Sequence, residues 1–158
     1  MPELVDKDLQ TKTANGVAVP VSDISRLALP EFGAWIKNAV AGGSRLCALF
    51  GAPAADTGRL PLYAVVGDPS TATLGIAICE VDDVYPSLTP EIPQAHWFER
   101  ELAEQWGVIP QGHPWLKPIR FHHSYRAGRD AWGLAVGQAI LPCVQPDGSD
   151  YFKVRGEE

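Results

Sequence analysis

The chain has 158 residues and carries 13 basic against 19 acidic side chains, a formal net charge of −6. That length suits one domain able to bury roughly 70% of the surface its unfolded chain would expose. With 46% apolar and 20% charged residues a wholly disordered chain is excluded, and an acidic chain lacking any concentration of Lys and Arg argues against nucleic acid as the main partner.

Taken in chain order, residues 1–15 are polar and are expected to be loose. Val17, Val19 and Val21 alternate, which predicts a short strand that Pro20 would confine to a sheet edge. Pro30 then offers a helix start, and Phe32, Trp35, Ile36, Ala39 and Val40 recur at helical spacing until Gly42-Gly43. Three apolar runs follow: Leu46–Phe50, the alternating Leu60, Leu62, Ala64 and Val66, and the alternating Leu74, Ile76 and Ile78. Gly- and Pro-bearing turns separate them, which favours antiparallel hairpins over βαβ crossovers. A second helix is read from Gln94 to Trp106, with Ala95, Phe98, Leu102 and Trp106 as its apolar stripe and Gly107 as its stop. Past Gly107 the periodicity is lost, and Trp132–Cys143 is a weak candidate for one more strand.

The predicted fold is α+β, a mostly antiparallel sheet with two main helices packed on it, followed by an irregular extended C-terminal arm. The predicted boundaries are a loose segment over 1–15, the α+β domain over 16–108 and a Gly/Pro-rich arm over 109–158. Fifteen Gly and 14 Pro fit such a chain. Cys47, Cys79 and Cys143 are scattered with no Cys-x-x-Cys pair, so the usual iron–sulfur and zinc spacings are missing and a reducing compartment is expected. Residues 1–10 lack a signal-peptide h-region, and Trp132–Val144 is too short and Gly/Pro-rich to span a bilayer.

Glu99, Arg100, Glu101 and Glu104 crowd the second helix. Either they form a solvated face with modest ion pairs such as Arg100–Glu104, or they clamp the irregular segment beyond Gly107, whose backbone groups need partners. His96, His113, His122 and His123 show no metal-ligand spacing, and His113 between Gly112 and Pro114 reads as a ring anchored to backbone in a stiff turn. Glu80, Asp82 and Asp83 read as acidic turn residues, not an EF-hand-like cation site. No motif marks Ser87, Ser124 or Cys79 as a nucleophile. A stand-alone enzyme using the His-rich segment with the acidic helix is the competing reading.

The stretch Ser87-Leu88-Thr89-Pro90-Glu91-Ile92-Pro93-Gln94-Ala95-His96-Trp97-Phe98-Glu99-Arg100-Glu101, then Gly107-Val108 and Gly112-His113-Pro114, resembles the signature of the C subunit of respiratory complex I, the NADH:quinone oxidoreductase. It is similar also to the matching N-terminal domain of membrane-bound nickel–iron hydrogenases of the formate hydrogenlyase type. Complex I members usually carry Asp at the position of Glu104 and Phe at that of Trp106, and His-Pro-Trp-Leu-Lys-Pro followed by Ile119-Arg120-Phe121 looks closer to the hydrogenase branch. Tyr151–Glu158 looks like the lead into a large-subunit-like domain, as in fused members.

The resemblance implies a non-catalytic, cofactor-free subunit or domain of a peripheral arm, without a metal of its own. Its partners would be a large subunit of the quinone-site or nickel–iron-site type and iron–sulfur subunits holding the clusters. Its place would be cytoplasmic, at the inner face of the membrane through those partners. Carried over by position, Glu99, Arg100, Glu101, Glu104, Gly107, Gly112, His113 and Pro114 would shape and dock the C-terminal segment. Trp97, Trp115 and Trp132 are candidate anchors on a partner.

Overall fold

Alternation of apolar residues along Leu60–Asp68 and Thr73–Val81 makes these the two longest strands, and the sheet is arranged around them. The computed structural model describes residues 10–53, 58–121, 123–129 and 131–132. Its elements are β1 (Thr11–Ala14), β2 (Ser25–Arg26), α1 (Leu29–Ala41), β3 (Arg45–Gly51), β4 (Leu60–Asp68), β5 (Thr73–Val81), β6 (Val84–Pro86), α2 (His96–Trp106) and β7 (Ile109–Gln111). The strand order β1-β5-β4-β3 is antiparallel throughout, and β2 joins β5 in parallel through Ser25↔Ala77 and Arg26↔Ile78. The separate pair β6–β7 is parallel, with Val84 opposite Ile109.

The mostly antiparallel α+β architecture agrees with the sequence pattern, and β3, β4, β5 and both helices lie where periodicity puts them. Two expectations need correction. The strand read at Val17–Val21 does not form: Val21–Asp23 is a 3-10 turn capped by Pro20, and Val17 and Val21 are exposed. Pro20 has no amide to give a ladder, so the alternation finds no pairing edge. Conversely Thr11–Ala14, assigned to the loose 1–15 segment, is a strand because its backbone pairs with Ile76–Thr73. Of the strand considered over Trp132–Cys143 only Trp132 is among the described residues, and Tyr151–Glu158 lies wholly outside them.

The core lies on one face of the sheet. Leu60, Leu62, Ala64 and Val66 of β4 face Phe32 and Ile36 of α1 and Leu102 and Trp106 of α2, all in one buried cluster. Each such aliphatic or aromatic side chain contributes roughly 1.5–3 kcal/mol of burial. Glu31 reaches back to the Ala28 amide at 3.2 Å to close the first turn of α1. Gln94 accepts the Leu46 amide at 2.8 Å, tying the entry of α2 to the edge strand β3. Gly107 ends α2 in the left-handed conformation, φ 64°, its amide bonded to the Ala103 carbonyl. Cys79 faces this core on β5, where burial pushes its thiol up to about 12 and removes it as a nucleophile at neutral pH. No helix among the described residues is long and apolar enough to cross a membrane.

Candidate functional site

The charged residues of α2 do not form a solvated face, for Glu99, Arg100 and Glu104 are all buried. Burying a charge is costly without hydrogen-bonding partners, and each of the three has found partners outside its own helix. Glu99 points back to the segment before α2. Its Oε2 accepts the Ser87 hydroxyl at 2.6 Å, the Thr89 hydroxyl at 2.5 Å and the Thr89 amide at 3.0 Å. Its Oε1 accepts the Leu88 amide at 2.8 Å. Burial, with this carboxylate beside it, pushes the Tyr85 phenol well above its ordinary value.

Arg100 and Glu104 face the opposite way, toward the arm. Arg100 donates from Nε to the Lys117 carbonyl at 2.8 Å and from Nη2 to the Pro118 carbonyl at 3.0 Å. Its guanidinium lies between two indoles, 4.8 Å from the Trp97 ring and 4.6 Å from that of Trp115. Burial draws its pKa down and the charge of Glu104 opposes that change. Glu104 Oε2 accepts the Ile119 amide at 2.7 Å and the Arg120 amide at 3.0 Å. Glu101 pairs with Arg120 at 2.6 Å.

The contact continues to the end of the helix. The Gln105 carbonyl accepts the Tyr125 amide at 2.6 Å, Arg126 reaches Asp83 at 3.0 Å, and Arg129 pairs with the other oxygen of Asp83. Residues 117–120 and Tyr125 therefore follow α2 in the same direction, their backbone groups met in order by Arg100, Glu104 and Gln105. This is clamp geometry.

The turn that starts the arm is held by His113. Gly112, at φ 85°, lets the chain reverse. His113 Nδ1 accepts the Trp115 amide at 3.1 Å, and Nε2 lies 3.2 Å from the His96 carbonyl. An amide can only donate and a carbonyl only accept, so the ring is the neutral Nε2–H tautomer. Its ring lies 4.9 Å from that of His96, which stacks on Trp115 at 6.0 Å. Pro114 is exposed in the same turn. Burial first, then His113 and Arg100, lower the pKa of His96, while Glu99 opposes them.

Of the three tryptophans read as anchors, Trp97 is 60% exposed, whereas Trp115 and Trp132 are half-buried. Of the three histidines among the described residues, His96 and His113 meet and His123 is exposed; His122 lies outside the described residues. Among the described residues no three His, Cys, Asp or Glu side chains come together as metal ligands. Asp82 and Asp83 pair with Arg59 and with Arg126 and Arg129.

Sequence reasoning missed Ser87 and Thr89 as partners of Glu99, and the Asp83–Arg126–Arg129 lock. The first could have been suspected from hydroxyls in the Pro-rich lead-in to a helix. The lock spans 43 and 46 positions in sequence and leaves no local signal.

Comparison with known proteins bears on this site directly. Residues 24–129 match the family model described as the respiratory-chain NADH dehydrogenase, 30 Kd subunit. The NADH-quinone oxidoreductase C subunit of Dinoroseobacter shibae is 42% identical over 45 residues, 28% of this chain and 21% of that protein. The fused C/D subunit of Erwinia tasmaniensis is 36% identical over 75 residues, 48% of this chain and 12% of that protein. The fused C/D subunit of Pectobacterium carotovorum is 38% identical over 52 residues, 33% of this chain and 9% of that protein. The matched part thus spans about a fifth of the unfused relatives and about a tenth of the fused ones. Because the family match runs from the entry to β2 as far as Arg129, it takes in both helices, the central strands and the whole clamp, and the chain belongs to the respiratory-chain NADH dehydrogenase 30 Kd subunit family.

Proposed function

We propose that the chain is a non-catalytic docking subunit or domain of a peripheral arm, in an NADH:quinone oxidoreductase-like complex or the related membrane-bound hydrogenase. It packs on the large subunit and supports electron transfer through iron–sulfur clusters held by partner subunits, at the inner, cytoplasmic face of the membrane. The observation that carries this reading is the clamp. Every carboxylate of the α2 signature, Glu99, Glu101 and Glu104, is engaged by the protein's own backbone, hydroxyl or guanidinium groups. They serve shape and not proton transfer. Trp97 stands exposed beside the clamped arm and is the anchor favoured for a partner.

The His-rich enzyme reading is weakened by the same geometry, since both ring nitrogens of His113 are engaged by backbone groups. The test is purification of the tagged chain from its native cells in mild detergent, followed by mass spectrometry of what is retained. Recovery of a large subunit with iron–sulfur partners is expected, and their identity separates the quinone from the hydrogenase branch. Recovery of the chain alone, with activity as a monomer, overturns the proposal.

A further inference from the structure

The clamp along α2 starts at a single imidazole whose two nitrogens are engaged in opposite senses. His113 Nδ1 takes the Trp115 amide at 3.1 Å, and Nε2–H gives to the His96 carbonyl at 3.2 Å. Trp115 in turn stacks on the Arg100 guanidinium, which holds the Lys117 and Pro118 carbonyls. The path from ring to arm is therefore short and continuous: His113, Trp115, Arg100, then the backbone at 117–118.

We propose that His113 is a pH-sensitive latch, keeping the arm on α2 while its ring is neutral and loosening it when the ring takes a proton. Protonation puts a hydrogen on Nδ1, where it faces the Trp115 N–H, so an acceptor becomes a donor aimed at a donor. The bond to the His96 carbonyl survives, because Nε2 keeps its hydrogen. The Trp115 amide must turn away, and the indole that covers one face of Arg100 turns with it. Solvent then reaches the guanidinium and competes for its two carbonyls.

Charged and titratable groups stand near the ring on both elements packed on it. On α2 the His96 ring lies 4.9 Å away and Arg100 stacks on Trp115, and from the arm Lys117 lies over the Trp115 ring at 5.7 Å. The ring is half-buried, so protons reach it without unfolding, and histidine is the side chain that titrates in the physiological range. Arg120, clasped to Glu101, Arg126 and Arg129 hold the arm farther along and do not titrate there. The loosening is thus confined to the first part of the arm.

The test is hydrogen exchange with mass-spectrometric readout on the full chain between pH 7.5 and pH 5, corrected for the intrinsic pH dependence of exchange. Protection over residues 115–120 is expected to fall about tenfold on acidification, while β4 and β5 keep theirs. In His113→Asn the amide oxygen supplies the same acceptor two residues before Trp115 and cannot take a proton, so the acid-dependent loss should vanish. Protection that is indifferent to pH in the native chain overturns the latch, and so does an undiminished acid loss in His113→Asn. Should that variant fail to fold, NMR of the native chain decides. The Trp115 amide must then shift with the same midpoint as the His113 ring, and an amide that stays constant while the ring titrates refutes the mechanism.

Discussion

Gly51, the last residue of β3, lies flat against the indole of Trp106, the last residue of α2. A Cβ at Gly51 would fall 2.6 Å from Nε1 and 2.7 Å from Cδ1 of that ring. Real Cβ atoms do not approach so closely, and the indole is buried and cannot swing aside. The absence of a side chain at one position thus sets how near the second helix comes to the sheet. Tyr125 meets the same indole edge-on, the ring centroids 5.3 Å apart. Gly51→Ala is expected to cost about 1–3 kcal/mol, the range of overpacking, and to shift tryptophan fluorescence in the native state. Urea unfolding checks it, and an unchanged midpoint would show that the helix slides freely.

How much of this was legible in the sequence depends on whether a feature repeats locally. α1, β4 and α2 were readable because their apolar residues recur at the period of the element. β1, β2, β6 and β7 have at most four residues each and exist by pairing with remote segments, β6 with β7 across the whole of α2. The clamp divides the same way. Arg100 and Glu104 could be named as clamp residues, but what they hold are backbone groups of Lys117, Pro118, Ile119 and Arg120, and backbone groups carry no sequence signal. Nor does spacing tell that Trp115 packs on Arg100 within the chain while Trp97, three positions before Arg100 on the helix, stays exposed.

Glu99 offers a sharp test of what the signature does. Its two oxygens receive two hydroxyls and two amides, and the amides of Leu88 and Thr89 cannot change sense. Glu99→Ala removes the acceptor of both hydroxyls and of the Leu88 amide, leaves the Thr89 amide only Ser87 Oγ at 3.2 Å, and is expected to cost about 3 kcal/mol or more. Glu99→Gln keeps one acceptor oxygen but turns an NH2 group toward one of the two amides, which should cost about 1–2 kcal/mol. Chemical denaturation of the two variants should give that order. Equal stability of Glu99→Gln and the native chain would mean that the second carboxylate oxygen contributes nothing to holding the lead-in segment.

Arg100→Lys separates charge from shape. An ammonium keeps the positive charge but loses the planar fork that reaches two carbonyls and stacks between two indoles. The arm should open more often while the sheet is unaffected. Trypsin reports this directly at Arg120, which lies just beyond the clamped carbonyls, with cleavage expected to rise about tenfold for a loss near 1.4 kcal/mol of local closing free energy. Thermal unfolding of the body should move little. If cleavage at Arg120 keeps its native rate, the fork does not hold the arm.

His96 makes stability depend on pH in a defined direction. Its pKa is lowered in the fold by burial, by His113 and by Arg100, against an ordinary value of 6.5. Above that ordinary value both the folded and the unfolded chain hold His96 neutral, and its contribution is fully present. As pH falls below about 6.5 the unfolded chain takes up the proton first, so unfolding is favoured, and the contribution is lost by the time pH has passed the folded value. Urea midpoints at pH 7.5 and pH 5 should therefore differ, the acid value being the lower. His96→Gln keeps the backbone carbonyl that His113 uses and removes the titrating ring, so the difference should shrink. This global slope is distinct from local loosening of the arm, because denaturant midpoints follow the whole body while exchange at residues 115–120 follows the latch. A slope left intact in His96→Gln would show that His96 is not its source.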